Sequence, residues 1–302
     1  MTSCSAEALS VGEPLAGSAP EAASWIVLEQ PGPWGRQALL DSHLDPALGR
    51  RLTELSAGTG VTVVLARHPD RPERAREGRR NVWVSTAVGG APRIRHGMID
   101  DPADVATWDF DTLGRGLLPD VGSEADQPLL LVCTHSGRDR CCAVNGRGLV
   151  AGLLSRLEAP DRGSVWECSH LGGHRFSPTV LSLPVSAVYG RLGDGAAMRL
   201  LSLAAEGRLL VDHLRGRSTL APPLQAAEIE VCRRTGLDTA ADLETRLVSG
   251  GVSDDEATVE VRHADGRRWL VHLVRVPLPR PRPESCGKDP VPGHSWICTD
   301  VA

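Results

Sequence analysis

Two stretches carry most of the information on the fold, Leu129-Leu-Leu-Val-Cys-Thr-His-Ser-Gly-Arg-Asp-Arg-Cys-Cys142 and Trp166-Glu-Cys-Ser-His-Leu-Gly-Gly-His174. Short apolar runs that end in cysteine predict strands over Leu129–Cys133 and Val165–Cys168. Leucine and valine on one helical face predict a helix between them, over Gly148–Leu157. If a right-handed crossover joins the two strands, their carboxyl ends lie side by side, where α/β sheets bind ligands. The pattern therefore predicts a site built from cysteine and histidine.

Working outward, the same alternation of strands and helices continues on both sides. Further strands are predicted over Trp25–Leu28, Val61–Leu65, Asn81–Thr86, Pro92–His96, Thr179–Leu183 and Val185–Tyr189. Asp45 before Pro46 is a good helix start, and another helix begins near Asp194. Strand, helix, strand, then strand, strand, helix is the thioredoxin-type order, and it occurs twice. We therefore predict an α/β fold of two thioredoxin-like units with a small C-terminal helix and hairpin appendage.

These elements divide the chain into four predicted parts. They are a disordered leader over 1–23, an N-terminal thioredoxin-like unit over 24–122, a unit carrying the site over 123–215, and a C-terminal appendage and tail over 216–302. The leader is rich in Ala, Ser, Gly and Glu without periodicity. Asp265-Gly266 predicts the turn of the hairpin. Arg71–Arg80 is predicted to be a solvated charged loop, because acidic residues alternate with its arginines.

Composition sets limits on partners and location. With 302 residues, 24% charged residues and a net charge of -5, the chain is typical of a soluble protein, and nucleic acid is disfavoured as its main ligand. The chain contains no apolar stretch long enough to cross a bilayer and no apparent secretory signal near Met1. We therefore predict a cytoplasmic protein that does not bind membranes.

Four of the eight cysteines lie at or near the predicted strand ends, and Cys4, Cys232, Cys286 and Cys298 lie outside that cluster. In a reducing compartment, the clustering of Cys133, Cys141, Cys142 and Cys168 points to metal or redox chemistry rather than to disulfides. Two thiolates and two imidazoles suit either tetrahedral zinc or a 2Fe-2S cluster in which histidines replace two cysteines. Eight residues separate Cys133 from Cys142. Zinc knuckles usually have about two to four, so the wider spacing favours a cluster without excluding zinc.

With these motifs the chain resembles the sucrase/ferredoxin-like proteins, which belong to the thioredoxin-like ferredoxins. The resemblance covers roughly residues 24–215. It is carried by Glu29-Gln-Pro-Gly-Pro-Trp-Gly35, by Cys133-Thr-His with Arg138-Asp139 and Cys142, by Trp166-Glu-Cys-Ser-His-Leu-Gly-Gly-His174, and by Tyr189-Gly190-Arg191.

The resemblance implies a thioredoxin-like ferredoxin fold and a 2Fe-2S cluster with Cys2His2 ligation. Its metal and cofactor ligands would be Cys133, Cys142, His170 and His174, with Cys141 as a bystander. The implied function is electron transfer or redox sensing with a redox partner protein that the sequence does not identify. An electron carrier is thus favoured over a substrate-converting enzyme, and no carboxylate pair suggests glycoside hydrolysis.

Two other functions stay open. The same residues could form a zinc-stabilised binding module. A thiol-disulfide oxidoreductase could use Cys141 and Cys142 or Cys168, but the chain has no Cys-x-x-Cys motif. Cys286 and Cys298 are too weak a signal to predict a second site.

Overall fold

A computed structural model of the chain describes residues 3–70, 78–89 and 91–302. Most of the predicted charged loop Arg71–Arg80 therefore lies outside the described residues. Within these ranges, no helix combines the length and the apolar character needed to span a bilayer.

One ten-stranded mixed sheet forms the centre of the molecule, which confirms the predicted α/β class. Its strands are β1 Ser24–Glu29, β2 Val61–Arg67, β3 Arg80–Thr86, β4 Arg93–Ile99, β5 Ser123–Glu124, β6 Leu129–Cys133, β7 Val165–Cys168, β8 Thr179–Leu183, β9 Ala187–Gly190 and β10 Leu214–Arg217. Their order across the sheet is β10-β9-β8-β6-β7-β2-β1-β3-β4-β5. The two halves of the chain thus share a single sheet, joined where β2 runs antiparallel to β7.

Eight α-helices accompany this sheet in the described residues. They are α1 Cys4–Ser10, α2 Ala38–Asp41, α3 Pro46–Ser56, α4 Phe110–Gly114, α5 Arg147–Leu154, α6 Ala159–Arg162, α7 Asp194–Ala205 and α8 Pro222–Thr235. The predicted start of α3 is confirmed, because the Asp45 side chain accepts a hydrogen bond from the Ala47 backbone N–H. A π-helical turn over Cys142–Gly146 leads into α5.

The residues of β6 alternate between two cores, as the period of a strand requires. Leu130 and Val132 pack with α5 and α7. Leu129, Leu131 and Cys133 face the opposite side of the sheet, among tryptophans and small apolar residues of the neighbouring strands. Cys133 therefore ends β6 on a densely packed apolar face.

The segment before β1 differs from the predicted disordered leader. Ser3 caps α1 by accepting a hydrogen bond from Ala6 N–H, and Cys4 and Ala8 are fully buried. Val11 and Leu15 are buried as well. The prediction is wrong for residues 3–23, because small and polar residues here bury their few apolar side chains against parts of the chain that are distant in sequence.

A buried carboxylate fastens this segment to the C-terminal tail. Glu13 accepts two hydrogen bonds of 2.7 Å from Arg282 and one of 2.8 Å from Arg175, and both Glu13 and Arg282 are only 3% exposed. Burial alone would raise the pKa of Glu13. The hydrogen bonds from Arg282 and the charge of Arg175 outweigh it and hold that pKa below its usual value.

Glu13→Gln is expected to lower the free energy of unfolding by about 1–3 kcal/mol at pH 7, since it leaves Arg282 buried without its carboxylate. A lowered folded-state pKa stabilises the protein above the unfolded-state pKa, and this contribution is lost as pH falls through the folded-state value. Urea unfolding of variant and wild type should therefore differ at pH 7 and converge in acid. The control is Glu21→Gln on an exposed side chain, which should match wild type throughout. Equal stability of Glu13→Gln and wild type at pH 7 would contradict the prediction.

The C-terminal region contains the predicted helix and hairpin and three further strand pairings. Its strands are β11 Leu243–Gly250, β12 Glu256–His263, β13 Arg268–Pro277, β14 Arg282–Pro283, β15 Pro290–Val291 and β16 His294–Val301. β11, β12, β13 and β16 form an antiparallel sheet, with β12 and β13 joined at Asp265-Gly266 as predicted. Val259, Val271 and Trp296 of this sheet share one hydrophobic core with Leu130 and Leu200. The appendage is therefore packed onto the central sheet.

Candidate metal centre

The predicted strand ends meet as the crossover argument requires. β6 and β7 are parallel neighbours, and their last residues, Cys133 and Cys168, are directly paired. Thr134 N–H continues the pairing by donating to Cys168 O. The loops that follow the two strands therefore start side by side at one edge of the sheet.

The two predicted cysteine ligands lie together beneath the surface. Cys133 is 0% and Cys142 1% exposed. A hydrogen bond from Cys142, helped by one from His170, holds the pKa of the Cys133 thiol well below its usual range, although burial opposes this shift. Cys142 and the predicted ligand His170 are therefore both in contact with Cys133.

Glycine allows the π-helical turn to approach the end of β6. A side chain on Gly146 would place its Cβ 2.2 Å from the carbonyl oxygen of Cys133. Because only a residue without Cβ can pack so closely, Gly146 sets the short separation between the strand that carries Cys133 and the turn that begins with Cys142.

The histidine loop places the second predicted ligand pair next to the thiols. The rings of His170 and His174 are 5.1 Å apart between centroids. Gly172 and Gly173, with φ of 76° and 67°, make the reversal between them. Arg215 supports this loop from below, donating a 3.0 Å hydrogen bond to Gly172 O.

Both histidines leave a buried ring nitrogen unused. Nδ1 of His170 and Nδ1 of His174 have no hydrogen-bond partner among the described residues. The other nitrogen of His174, Nε2, lies 3.7 Å from Asp139 Oδ2. Burial lowers the pKa of His174, and the nearby Asp139 charge opposes that shift only in part. A neutral His174 with its proton on Nε2, toward Asp139, keeps Nδ1 free to bind a metal.

The cysteine loop is supported from the N-terminal half of the chain. His135 Nε2 donates a 2.8 Å hydrogen bond to Gly35 O, and its ring makes an edge contact with Trp34. A Cβ on Gly137 would lie 1.6 Å from the same Gly35 oxygen. The Glu29–Gly35 turn therefore fixes the loop that joins Cys133 to Cys142.

Cys168 and Cys141 are the other two cysteines near the ends of β6 and β7. Cys168 is 0% exposed in β7, and burial raises its pKa well above the usual value. Cys141 is adjacent to Cys142, but successive residues of a helical turn point about 100° apart. Its Sγ instead lies 3.4 Å from Cys4 Sγ and 3.3 Å from Cys286 Sγ.

A second set of potential metal ligands, which the sequence does not predict, includes Cys141. The potential ligand atoms of Cys4, Asp139, Cys141 and Cys286 all lie within 4.8 Å of one another, so these residues could bind a metal ion. In the described part of the chain, this is the one group of three or more such residues that meets that limit. No sequence signal links the four, because Cys4 and Cys286 stand at opposite ends of the chain.

Comparison with known proteins identifies the family of this chain. The family model described as sucrase/ferredoxin-like matches residues 15–216, about two thirds of the sequence. Neither the comparison with curated proteins nor that with solved structures finds a match. The matched residues include both loops at the end of β6 and β7 and all ten strands of the central sheet except the last residue of β10. The chain therefore belongs to the sucrase/ferredoxin-like family.

Proposed function

We propose that Cys133, Cys142, His170 and His174 hold a 2Fe-2S cluster and that the protein transfers electrons or senses redox state through it. The observation that carries this proposal is the pair of buried, unpartnered Nδ1 atoms of the two histidines beside a buried pair of cysteines. A buried polar atom without a partner costs free energy, and metal ligation satisfies it.

The spacing of the two cysteines supports a cluster over a single ion. Eight residues separate Cys133 from Cys142, whereas zinc knuckles usually have about two to four. A cluster with two irons takes one pair of ligands on each metal, so it tolerates a larger distance between the cysteine pair and the histidine pair.

The bound cluster would supply one-electron chemistry. The protein itself sets the charge of the ligands and the surroundings of the two histidine rings. Two neutral imidazoles in place of two thiolates remove negative charge and so raise the reduction potential above that of an all-cysteine site. Asp139 places a negative charge 3.7 Å from His174 Nε2, which favours a proton on that nitrogen. The apolar packing around Cys133 excludes water from the cysteine side of the site.

Iron and acid-labile sulfide in anaerobically purified protein test the proposal. We expect about two irons and two sulfides per chain, and their loss in Cys142→Ala and in His170→Ala. The matched controls are Cys168→Ala, a buried thiol in the neighbouring strand, and His294→Ala, an exposed histidine on β16. Both controls should keep iron and sulfide. Stoichiometric zinc without sulfide, lost in Cys142→Ala, would overturn the cluster and leave a zinc-stabilised module.

A further inference from the structure

Three sulfur atoms from distant parts of the chain meet beside the proposed cluster site. Cys4 lies in α1, Cys141 precedes the π-helical turn, and Cys286 lies in the C-terminal tail. Their Sγ atoms form a triangle with sides of 3.3, 3.4 and 3.6 Å. Cys4 and Cys141 are 0% and 3% exposed, and all three cysteines are free thiols.

Asp139 is the fourth potential ligand, and two backbone N–H groups hold its carboxylate in place. Its Oδ1 accepts a 2.8 Å hydrogen bond from Cys141 N–H, and its Oδ2 accepts one of 2.8 Å from Cys286 N–H. Oδ1 lies 3.7 Å from Cys4 Sγ. The carboxylate therefore fixes two of the three cysteines and faces the third.

The size of this arrangement matches a mononuclear site for a thiophilic ion. Tetrahedral zinc with Zn–S bonds of about 2.3 Å holds its sulfurs about 3.8 Å apart, so the observed triangle needs only a slight expansion. A disulfide requires about 2.05 Å between two sulfurs and would leave the third unpaired. Calcium and magnesium prefer all-oxygen shells, which excludes them from a site with three sulfurs.

An ion can reach the site from solvent. A pocket of about 580 Å³ opens on Cys141 and Cys286 and is lined also by Ser3, Asn145 and Gly287. Cys286 is partly exposed, while Cys4 and Cys141 are buried. The site thus combines an entry path with a buried donor set, as a preformed metal site requires.

We propose that Cys4, Cys141, Cys286 and Asp139 bind one zinc ion, separate from the proposed cluster. The ion fastens α1 and the C-terminal tail to the loop that ends in Cys142. Cys4 and Cys286 both lie outside the matched residues 15–216, so membership of the family does not imply this site.

Metal content and cobalt spectra of the full-length protein test this site. Purified wild type, with its iron and sulfide measured in parallel, is expected to contain one zinc ion per chain. Cys286→Ala and Cys4→Ser should lose that zinc and keep the iron and sulfide of wild type. Cys298→Ala, a partly exposed cysteine on β16, is the control and should keep both. Cobalt(II) exchanged for zinc should give thiolate-to-cobalt absorption in wild type that is weaker or absent in Cys286→Ala.

Each of the following outcomes overturns the zinc site. Protein that takes up neither zinc nor cobalt when loaded has no such site, whatever its iron content. Zinc that persists in Cys286→Ala but disappears in Cys142→Ala belongs to the predicted Cys2His2 ligands, which would overturn both proposals. A disulfide among the three cysteines in anaerobically purified protein would show that they pair with each other instead of binding a metal ion.

Discussion

Replacing Arg217 with methionine is expected to lower the free energy of unfolding by about 3–5 kcal/mol, because it leaves Glu228 as an uncompensated buried charge. Arg217 Nε donates a 2.8 Å hydrogen bond to Glu228 Oε1, and a second nitrogen contacts Oε2. Glu228 is 0% and Arg217 7% exposed. Arg217 also donates to the carbonyl oxygens of Ala240 and Leu243. One guanidinium thus ties β10 to α8 and to the C-terminal sheet.

Chemical unfolding of three variants separates the buried charge from packing. Arg217→Met should be the least stable. The double variant with Glu228→Leu lacks the unpaired buried carboxylate, so it should regain much of the lost free energy of unfolding. Arg208→Met is the matched control, since Arg208 makes the same two-pronged contact with Asp238 at a site where its side chain is 41% exposed, and its effect should be much smaller. If Arg217→Met and Arg208→Met proved equally stable, the buried ion pair would not have the role assigned to it.

His170→Cys is expected to lower the reduction potential of the proposed cluster by roughly 100–300 mV, because a thiolate brings a negative charge where a neutral imidazole stood. A cysteine is shorter than a histidine, but the Gly172-Gly173 turn after position 170 lets the loop adjust. Potentiometric titration followed by the visible absorption of the protein measures the shift.

His294→Cys adds a cysteine on the exposed face of β16 and is the control for a new thiol, so its potential should equal that of wild type. His174→Cys should lower the potential as His170→Cys does, since both residues are proposed ligands. A cluster that assembles in His170→Cys at the wild-type potential would show that His170 does not bind it.

Local patterns predicted much of the central sheet. The unbroken apolar runs at Leu129–Cys133 and Val61–Leu65 predicted buried strands, which the structure contains as β6 and β2. Asp45 before Pro46 predicted the start of α3 because capping depends only on neighbouring residues. The meeting of Cys133 and Cys168 followed from the handedness of a crossover, a rule that holds for most α/β sheets.

Contacts between residues distant in sequence could not be predicted from local patterns. The pairing of Ala66 with Cys168, which joins the two halves into one sheet, depends on how two separately predicted units pack. α1 looked like disordered sequence because its buried side chains are few, and their partners lie more than a hundred residues away. Cys141 was predicted to be a bystander to the cluster. Its contacts with Cys4 and Cys286 could not be foreseen, since no spacing rule spans such separations.

The contact between the N-terminal segment and the C-terminal tail sets an order of synthesis. Arg282 is made 269 residues after Glu13, and Cys286 is made 282 residues after Cys4. Until then the N-terminal segment has only its earlier partners, such as Cys141 and Arg175. Synthesis of the tail, rather than completion of the central sheet, is therefore the event that closes this thiol-rich surface.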